Sequence, residues 1–540
     1  MKLTSHPLLR RGLGRLNNKQ MKHNFRTQLI IVGLFFFSIL NAQNLKLAEL
    51  FNEGAVLQRH AKVTVWGNAA PNSNVSVSIQ GKQVQSKSDK AGNWTVDLSA
   101  LKEGGPYEMS VSSAKETLKI NEIYVGEVWI AGGQSNMGFM LQTAVGGKEE
   151  AANAENKNIR FLMVPYKPYE GYKSKGDMNW HTATTENNVA SMSAVAYYFA
   201  KDLQAKLNIP IGVICCYKGG SGAETWMTRE WLLKSTETAP IVEKYESYLS
   251  DMGKQKYEEL FSKYEGDTKV YRDSVKAGIK NLVAPKEPMG DRHFNRPFGL
   301  YSTMLERCIP YSVKGAIWYQ GEHNSGRAEQ YRTLFPALIA EWRNDFKNPD
   351  MPFLFVQLAN YGKADANNRP IWPELREAQL LTWQKVKNTG MAVTMDIGEK
   401  DNIHPPRKEQ VGKRLATIAI NNVYSIKTPY SGPVYKSMEI KGNQAILSFD
   451  FVYDGLKVDA ELKGFSICGA DKNFIPAKAE IKGNQIVVYA ELISQPVAVR
   501  YGWANWTDGN LFNSADLPAT PFRTDDFPLL TAGKKTDSYK

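Results

Sequence analysis

Four segments of this 540-residue sequence place reactive side chains directly after an apolar, strand-like run. The first carries Ser135 behind two glycines, and the second ends in a glycine pair at 219–220. The third is a cluster of amides and a carboxylate at 320–324, and the fourth has Asp401 three residues before His404. Serine acyl transfer needs a hydroxyl nucleophile, a general base, an acid that orients the base, and N–H donors for an oxyanion. The four segments supply all of these groups.

Ser135 is the predicted nucleophile and His404 is the predicted general base. The glycines before Ser135 permit a tight strand-to-helix turn that exposes the hydroxyl. Met137 stands where the G-x-S-x-G elbow of α/β-hydrolases has a glycine, so that fold is disfavoured. Among the seven histidines, only His404 combines a strand-end loop with a nearby carboxylate, Asp401, that could hold one imidazole tautomer. His323, inside the cluster of amides, is its competitor.

The elements that must position these loops are a sheet and its helices. Strand-like apolar runs alternate with helical patterns, which predicts a mainly parallel sheet with helices on both faces. The apolar runs are 127–132, 159–164, 211–217, 315–319, 353–358 and 391–397. The helical patterns include 193–207, 330–345, 373–386 and 408–421. Ligands bind beyond the carboxyl ends of the strands in such sheets, so the four loops are expected to converge there.

Two β-rich regions flank this predicted central domain of residues 121–425. Residues 43–120 and 426–530 alternate apolar and polar positions between turn residues, a pattern typical of β-sandwich-like domains. Residues 233–285 are predicted to form a charged helical insertion in the central domain. A polar tail at 531–540 closes the chain and is expected to be disordered.

The first 42 residues predict a leader that directs secretion. They carry seven basic and no acidic residues, and their apolar run at 29–40 is too short to span a membrane. Cleavage is expected after Ala42, so the mature protein is predicted to be secreted or periplasmic, with no membrane anchor after cleavage. Subtracting those seven charges from the formal net charge of +12 leaves +5, so a nucleic-acid partner is not expected.

The four cysteines predict neither a disulfide framework nor a metal site. Cys215 and Cys216 are adjacent in a strand-like run, where neighbouring side chains point to opposite faces. No C-x-x-C or H-E-x-x-H spacing occurs. Buried free thiols are therefore expected, with no metal and no organic cofactor.

Several segments together resemble the ordered blocks of the SGNH hydrolases, and more narrowly the sialate O-acetylesterase-like carbohydrate esterases. They are GQSNM at 133–137, GGS at 219–221, WYQGE at 318–322 with Asn324, and Asp401 with His404. Flanking segments agree: VLQR at 56–59, VWG at 65–67, YGWAN at 501–505 and PFRTD at 521–525. The resemblance implies a flavodoxin-like α/β domain. It departs at 138–139, Lys218 and His323, near the predicted pocket, which bears on substrate preference.

The resemblance also implies a secreted carbohydrate O-acetylesterase. Ser135 would attack the acetyl carbonyl and His404 would take the proton. Asp401 would hold the imidazole, with Glu322 as the alternative acid. O-acetylated sialic acid is the expected substrate, and acetylated xylan or pectin is the alternative.

The predicted oxyanion donors are the backbone N–H groups of Ser135 and Gly220 and a side-chain amide from Gln320 or Asn324. Further residues are expected to contact the sugar, with burial in the core as the alternative role for each tryptophan. These expected sugar contacts are Trp226, Trp318, Trp372 and His323.

Two other classes of protein remain open from the sequence. Glu322 and Asp401 could be the carboxylate pair of a glycoside hydrolase, although that function leaves the Ser135 turn unused. The chain could also be a non-catalytic glycan-binding protein with β domains that bind. The intact set of polar residues at the predicted strand ends favours the esterase over both.

Overall fold

The computed structural model describes residues 44–114, 116–363, 369–536 and Tyr539. The predicted leader and its cleavage site at Ala42 lie outside the described residues. Within the part described, no helix is both long and apolar enough to cross a membrane. All four cysteines are buried and free, in agreement with the sequence-based expectation.

The described chain begins with eight strands. They are β1 (Lys46–Leu47), β2 (Val56–Gln58), β3 (Val63–Asn68), β4 (Asn74–Ile79), β5 (Lys82–Lys87), β6 (Asn93–Leu98), β7 (Gly104–Ser113) and β8 (Thr117–Gly133). In β4 and β6 burial alternates with the period of two read in the sequence. In β4 the valines and the isoleucine are buried and the serines are half-exposed, so one face packs into the core. The 17-residue β8 crosses the domain boundary predicted at residue 120. Its first half pairs with β2 and β7, and its second half enters the central sheet.

Six further strands complete the central sheet. They are β9 (Glu155–Met163), β10 (Trp180–Thr184), β11 (Ile211–Tyr217), β12 (Gly315–Tyr319), β13 (Phe353–Val356) and β14 (Thr389–Ala392). Their order with β8 across the sheet is β10-β9-β11-β8-β12-β13-β14. Every neighbouring pair on this path is parallel except β10 with β9. The fold is therefore mixed α/β with a mainly parallel central sheet.

The strand order differs from the flavodoxin-like order that the family resemblance implies. Numbered along the chain, the parallel strands lie in the order 2-3-1-4-5-6, whereas a flavodoxin-like sheet has 2-1-3-4-5. The difference arises because β11 bonds to both β8 and β9 and so separates them. Strands β9 and β11 lie on one side of β8, and β12, β13 and β14 lie on the other, so the chain crosses β8 between β11 and β12. The loop after β8 therefore lies at the topological switch point, where open α/β sheets bind ligands.

Helices cover both faces of the sheet. The α-helices of the described chain are α1 (Gly147–Ala152), α2 (Ala194–Leu207), α3 (Arg229–Leu232), α4 (Ala239–Met252), α5 (Lys254–Lys276), α6 (Ala328–Asp345), α7 (Trp372–Lys385) and α8 (Lys408–Asn422). Trp129 of β8 packs edge-on against Phe199 of α2, whereas a Cβ on Gly132 would meet Trp342 of α6. Residues three apart on a strand point to opposite faces, so α2 and α6 lie on opposite sides of the sheet.

Shorter helical turns connect these elements. The 3-10 turns of the described chain are Leu141–Thr143, Thr185–Asn187, Val189–Ser191, Ala223–Trp226, Glu306–Cys308, Glu322–Arg327 and Met395–Ile397, and Tyr301–Leu305 is a π-helix. The apolar run predicted as one strand at 391–397 is therefore divided: β14 ends at Ala392, and a 3-10 turn follows.

Two regions outside the sheet bear on the earlier expectations. Helices α4 and α5 lie in the predicted insertion at 233–285, and α5 buries only Tyr257 and Phe261.

The tail is ordered up to residue 536 in the described chain, contrary to the expected disorder. The Gly533 N–H donates to Glu329 Oε2 at 2.7 Å, and the Lys535 carbonyl accepts from Gln330 Nε2 at 2.6 Å. Polar side chains at the start of α6 therefore bind the backbone of the tail.

The remaining strands form a C-terminal β region with its own core. They are β15 (Val434–Lys441), β16 (Gln444–Asp450), β17 (Leu456–Lys457), β18 (Phe465–Cys468), β19 (Ile475–Pro476), β20 (Lys478–Lys482), β21 (Gln485–Tyr489), β22 (Ala498–Tyr501), β23 (Phe512–Asn513) and β24 (Phe522–Arg523). Two four-stranded sheets, β15-β16-β21-β20 and β19-β18-β22-β24, and the pair β17-β23 make up the region. Buried Arg376 of α7 donates to the carbonyls of Ala504 and Asn505 at 2.9 and 3.0 Å, which joins this region to the central domain.

Candidate active site

Ser135 lies in the tight turn directly after β8. Gly133 has a φ of +130°, and a Cβ there would stand 2.2 Å from the carbonyl oxygen of Tyr319 on β12, so this position requires glycine. The Met137 N–H donates to the Gln134 carbonyl at 3.0 Å and closes the turn. The chain then continues into irregular structure, not directly into the α-helix expected from the sequence. The Ser135 hydroxyl is therefore positioned by a tight turn that no α-helix directly follows.

His404 lies in the loop before α8 and reaches the predicted nucleophile. Its Nε2 is 2.8 Å from Oγ of Ser135, a hydrogen-bond distance. Burial lowers the pKa of the imidazole, and the nearby charge of Lys408 lowers it further. A neutral imidazole with a lone pair on Nε2 is the form that can accept a serine proton. The structure thus brings together the two residues that the sequence analysis paired.

Asp401 does not reach His404 in the structure. Its carboxylate is 73% exposed and pairs with Nζ of Lys363 at 3.1 Å. No hydrogen bond joins it to the imidazole within the described part of the chain. The local loop gives the reason: Oδ1 of Asn402 accepts the backbone N–H of His404 at 3.0 Å, and this turn leaves Asp401 at the surface. The expected contact at the third member of the triad is therefore not formed.

A buried polar network that the sequence analysis missed lies behind the Ser135–His404 pair. At its centre, Asn136 donates from Nδ2 to Oε1 of Glu322 at 2.5 Å and to the carbonyl of Ile403 at 2.9 Å. Its Oδ1 accepts from Nζ of Lys408 at 2.5 Å. The only signals in the sequence were that Asn136 belongs to the GQSNM block and that Lys408 begins a predicted helix. Neither signal indicates a buried contact between them.

Two buried ionisable side chains of this network, Glu322 and Lys408, bond to the same amide, that of Asn136. Burial raises the pKa of the Glu322 carboxyl, while burial lowers the pKa of Lys408 to about 7. Each charge opposes the effect of burial on the other. Oε2 of Glu322 is buried and accepts no hydrogen bond from the described residues. Glu322, the alternative acid, is thus bound to Asn136 and not to the imidazole.

The glycine pair at 219–220 lies beside Ser135. A Cβ on Gly219 would be 3.4 Å from Cβ of Ser135. Gly220 has a φ of +76°, which glycine adopts without strain. The structure therefore brings the two predicted backbone donors, Ser135 and Gly220, to neighbouring turns at the switch point.

The two predicted side-chain amides make other contacts. Nε2 of buried Gln320 donates to the Ser221 carbonyl at 3.2 Å and to Oδ1 of Asn324 at 2.6 Å. Nδ2 of Asn324, itself buried, donates to Oε2 of Glu224 at 2.8 Å. Within the described residues neither amide bonds to Ser135. Both amides bond to or behind the loop after β11, and an oxyanion role for either of them stays a prediction.

The three tryptophans expected to stack on sugars are buried, which bears out the alternative of a core role. Trp226, Trp318 and Trp372 are 0, 1 and 3% exposed. Trp226 donates from Nε1 to Oγ of Ser221 at 2.9 Å, and Trp318 packs edge-on against Trp226. Side chains from distant parts of the chain enclose these rings, so no sugar face can reach them.

His323 lies near the glycine loop rather than on Ser135. Its Nε2 is 2.9 Å from Nδ2 of Asn295, whose Oδ1 accepts the Gly222 N–H at 2.9 Å. His323 is thus connected through Asn295 to the loop that carries Gly220. In the described chain, no group of three or more His, Cys, Asp or Glu side chains is arranged to hold a metal ion.

Comparison with known proteins shows which proteins the chain is similar to. A family model described as carbohydrate esterase, sialic acid-specific acetylesterase, matches residues 289–421. The human sialate O-acetylesterase is 27% identical, over 91% of this chain and 96% of the human protein. The mouse sialate O-acetylesterase is 26% identical, over 88% of this chain and 94% of the mouse protein. A solved structure, a carbohydrate acetylesterase from Xanthomonas citri, is 36% identical with a TM-score of 0.75, over 89% of this chain and 100% of that one.

The fold, the serine–histidine pair at the switch point and these matches define the class of the protein, which is an esterase. More narrowly, the chain belongs to the carbohydrate acetylesterases, and the sialic acid-specific acetylesterase model matches its residues 289–421. The resemblance found in the sequence is thereby confirmed.

Proposed function

We propose that this protein is an exported carbohydrate O-acetylesterase that removes acetyl groups from O-acetylated sialic acid. The observation that carries the proposal is the 2.8 Å contact between Oγ of Ser135 and Nε2 of His404, beside a turn of two glycines. The mammalian relatives are named sialate O-acetylesterases, and the Xanthomonas relative a carbohydrate acetylesterase. These names supply the substrate class, and the geometry supplies the chemistry.

The reaction begins with attack of Oγ of Ser135 on the acetyl carbonyl carbon. The hydroxyl proton passes to Nε2 of His404 as the new C–O bond forms. The negative charge moves to the former carbonyl oxygen, where backbone N–H groups of Ser135 and Gly220 would donate to it. Collapse of this intermediate breaks the ester bond, and the sugar oxygen leaves with the proton from His404. The product of this half-reaction is an acetyl group on Ser135.

Hydrolysis of the acetyl-enzyme repeats the same steps with water. His404 takes a proton from the water as its oxygen attacks the acetyl carbon, and the same N–H groups stabilise the second intermediate. Oγ of Ser135 then leaves with that proton, and acetate is released. Both half-reactions need a neutral imidazole at the start, which the lowered pKa of His404 favours near neutral pH.

Orientation of the imidazole is assigned in this proposal to the loop rather than to a carboxylate. Asn402 holds the backbone N–H of His404, and Asn136 holds the carbonyl of Ile403 one residue earlier. Asp401 is given no part in proton transfer because its carboxylate lies on Lys363.

Acetylated xylan or pectin is the alternative substrate, since the chemistry at Ser135 is the same for any acetyl ester of a sugar.

The geometry does not favour a glycoside hydrolase. Such enzymes place two carboxyl groups on either side of one glycosidic bond. Here Glu322 is buried against Asn136, and Asp401 is exposed beside Lys363.

Acetate release from a panel of substrates tests the proposal. The panel holds O-acetylated sialic acid, acetylated xylan fragments and acetylated pectin fragments, each with its deacetylated form as control. The expected result is acetate release, fastest from sialic acid, with no new reducing ends. Faster release from xylan or pectin would support the alternative substrate. Binding without acetate release, or the appearance of reducing ends, would contradict the proposal.

A further inference from the structure

A cavity of about 530 Å³ lies between the loop after β9 and helix α5 of the insertion, and neither the proposed reaction nor the comparisons assign it a role. Aromatic rings form much of its wall. They are Tyr166, Tyr169 and Tyr172 from the loop, and Phe261 and Tyr264 from α5. Tyr172 is exposed, and Tyr166, Tyr169 and Tyr264 are half-exposed. Rings that keep one side accessible in a cavity are suited to contact a ligand as well as to pack.

Neighbouring rings of the wall are inclined to one another. Tyr169 and Tyr172 lie 5.5 Å apart at 75°, and Phe261 and Tyr264 lie 5.9 Å apart at 54°. Inclined rings of this kind form a folded wall, not a stack in which every face is covered. The flat apolar face of a pyranose can pack on such a ring while its hydroxyls bind polar neighbours.

The polar part of the wall carries acidic and basic side chains in equal number. The acidic residues are Glu265, Asp273 and Glu287, and the basic residues are Lys269, Arg272 and Lys276. A site for an anion or a cation would have an excess of the opposite charge. Balanced donors and acceptors instead suit the hydroxyl groups of a neutral sugar, which both donate and accept hydrogen bonds.

The cavity is connected to the nucleophile through Lys218. Nζ of Lys218 stands 4.3 Å above the ring of Tyr166, in the cavity wall, and 4.9 Å from the ring of Phe294. Phe294 in turn lies 3.8 Å from where a Cβ on Gly220 would be. Lys218 immediately precedes the glycine pair beside Ser135. A chain of contacts therefore runs from the turn of Gly219 and Gly220 to the aromatic wall of the cavity.

We propose that this cavity binds neutral sugar units linked to the acetylated sugar, so that the enzyme prefers an acetylated residue within an oligosaccharide over the free acetylated monosaccharide. The inference rests on the proposed function, because it extends the same catalytic site along the glycan. It assigns the helical insertion at 233–285 a part in substrate binding.

Two substrates that differ only in the neutral part test the inference. One is free O-acetylated sialic acid, and the other is the same residue linked to lactose. The measured quantity is the ratio of kcat/KM for the trisaccharide over the monosaccharide. The wild-type ratio is expected to be about ten or more, the gain from one or two ring contacts. It is also expected to be the same at low and high salt, because neutral sugars make the contacts.

Tyr264→Ala removes one ring of the wall and is expected to lower that ratio by roughly fivefold or more. Tyr271→Ala, on the same helix but outside the cavity, is the matched control and should keep the wild-type ratio. Melting curves establish that both variants are folded. Tyr172→Ala, on the opposite wall, provides a second variant if Tyr264→Ala does not fold.

A wild-type ratio near one, with the monosaccharide turned over, would overturn this inference and leave the proposed function standing. A ratio that Tyr264→Ala and Tyr172→Ala leave unchanged, or that falls steeply with salt, would also overturn it. Failure to release acetate from either substrate would instead contradict the proposed function.

Discussion

Nδ2 of Asn136 donates a hydrogen bond to the carbonyl oxygen of Ile403 at 2.9 Å, across 267 positions of sequence. Asn136 follows the proposed nucleophile, and Ile403 precedes the proposed base. The bond therefore ties the turn after β8 to the loop before α8. A displacement of about 1 Å between reacting groups can cost a hundredfold in rate. One buried amide thus helps to set the distance on which the proposed reaction depends.

Ser135→Ala should abolish nearly all acetate release without unfolding the protein. The side chain is half-exposed in a turn and bonds to His404, so its removal leaves no buried polar group unpaired. Loss of a nucleophile lowers kcat by several orders of magnitude, roughly 10⁴-fold or more. Single-substrate kinetics and a melting curve measure both effects, with Ser437→Ala on exposed β15 as the control. Retention of about a tenth of the wild-type kcat would exclude the serine mechanism.

Asn136→Ala should lower both stability and kcat. The substitution leaves Glu322 and Lys408 as buried charges without their shared partner, which costs about 2–4 kcal/mol of unfolding free energy. It also frees the Ile403 carbonyl from the turn beside Ser135. Asn156→Ala, which removes one half-exposed hydrogen bond to Gln204, is the control and should cost about 1 kcal/mol or less. Denaturant unfolding and kcat on a small acetate ester are the measurements. Equal stability of the two variants would show that the network does not hold the site.

Asp401→Asn should reduce kcat less than Glu322→Gln does. Asp401 is exposed and pairs with Lys363, whereas Glu322 is buried and accepts a hydrogen bond from Asn136, the residue after Ser135. We expect a loss of about threefold or less for Asp401→Asn, since exposed ion pairs contribute little, and of roughly tenfold or more for Glu322→Gln. A small activated acetate ester is the substrate, so that lost sugar contacts do not affect the comparison. A loss near 10⁴-fold for Asp401→Asn would restore this residue as the acid of a triad.

Lys408→Met should move the acid limb of the kcat/KM profile to higher pH. The charge of Lys408 lowers the pKa of His404, so its removal raises that pKa. The neutral imidazole that accepts the serine proton is then lost at a higher pH as the solution is acidified. Lys413→Met, an exposed position of the same helix, should leave the profile in place. A limb that stays where it is, or moves to lower pH, in Lys408→Met would show that the two residues are not electrostatically coupled.

The exported form of the protein should begin at Gln43. The apolar run of the leader ends at Leu40, and Ala42 is the small residue nearest to it. N-terminal sequencing of protein recovered from outside the cytoplasm measures the cleavage site. A product that retains Met1 or Met21 would contradict the assignment of a cleaved leader.

The strands and helices that position the site were predicted accurately from the sequence. The runs expected at 211–217 and 315–319 are β11 and β12, and α2, α6, α7 and α8 begin and end within two residues of the expected helices. Ser135 and His404 could be paired from sequence because each follows a strand-like run. Parallel strands deliver their carboxyl ends to one edge, whatever the distance along the chain. Blocks of residues typical of one family gave the class of enzyme.

Tertiary structure alone decided which neighbours those residues have. Asp401 stands three positions before His404, yet the bond from the His404 backbone to Asn402 leaves its carboxylate on Lys363. Spacing along the chain limits how far apart two side chains can be, but it does not fix the direction in which each one points. Local hydrogen bonds in the loop fix that direction.

Burial was the second property that the sequence did not determine. Trp226, Trp318 and Trp372 lie in elements near the site, but side chains and backbone from remote parts of the chain bury them. Asn136 meets Lys408 because the turn after β8 and the start of α8 come together across 272 positions of sequence. The period of a sequence pattern reports which face of an element is apolar. Which charged side chain lies under that face depends on the packing of the whole domain, and so only the folded chain reveals it.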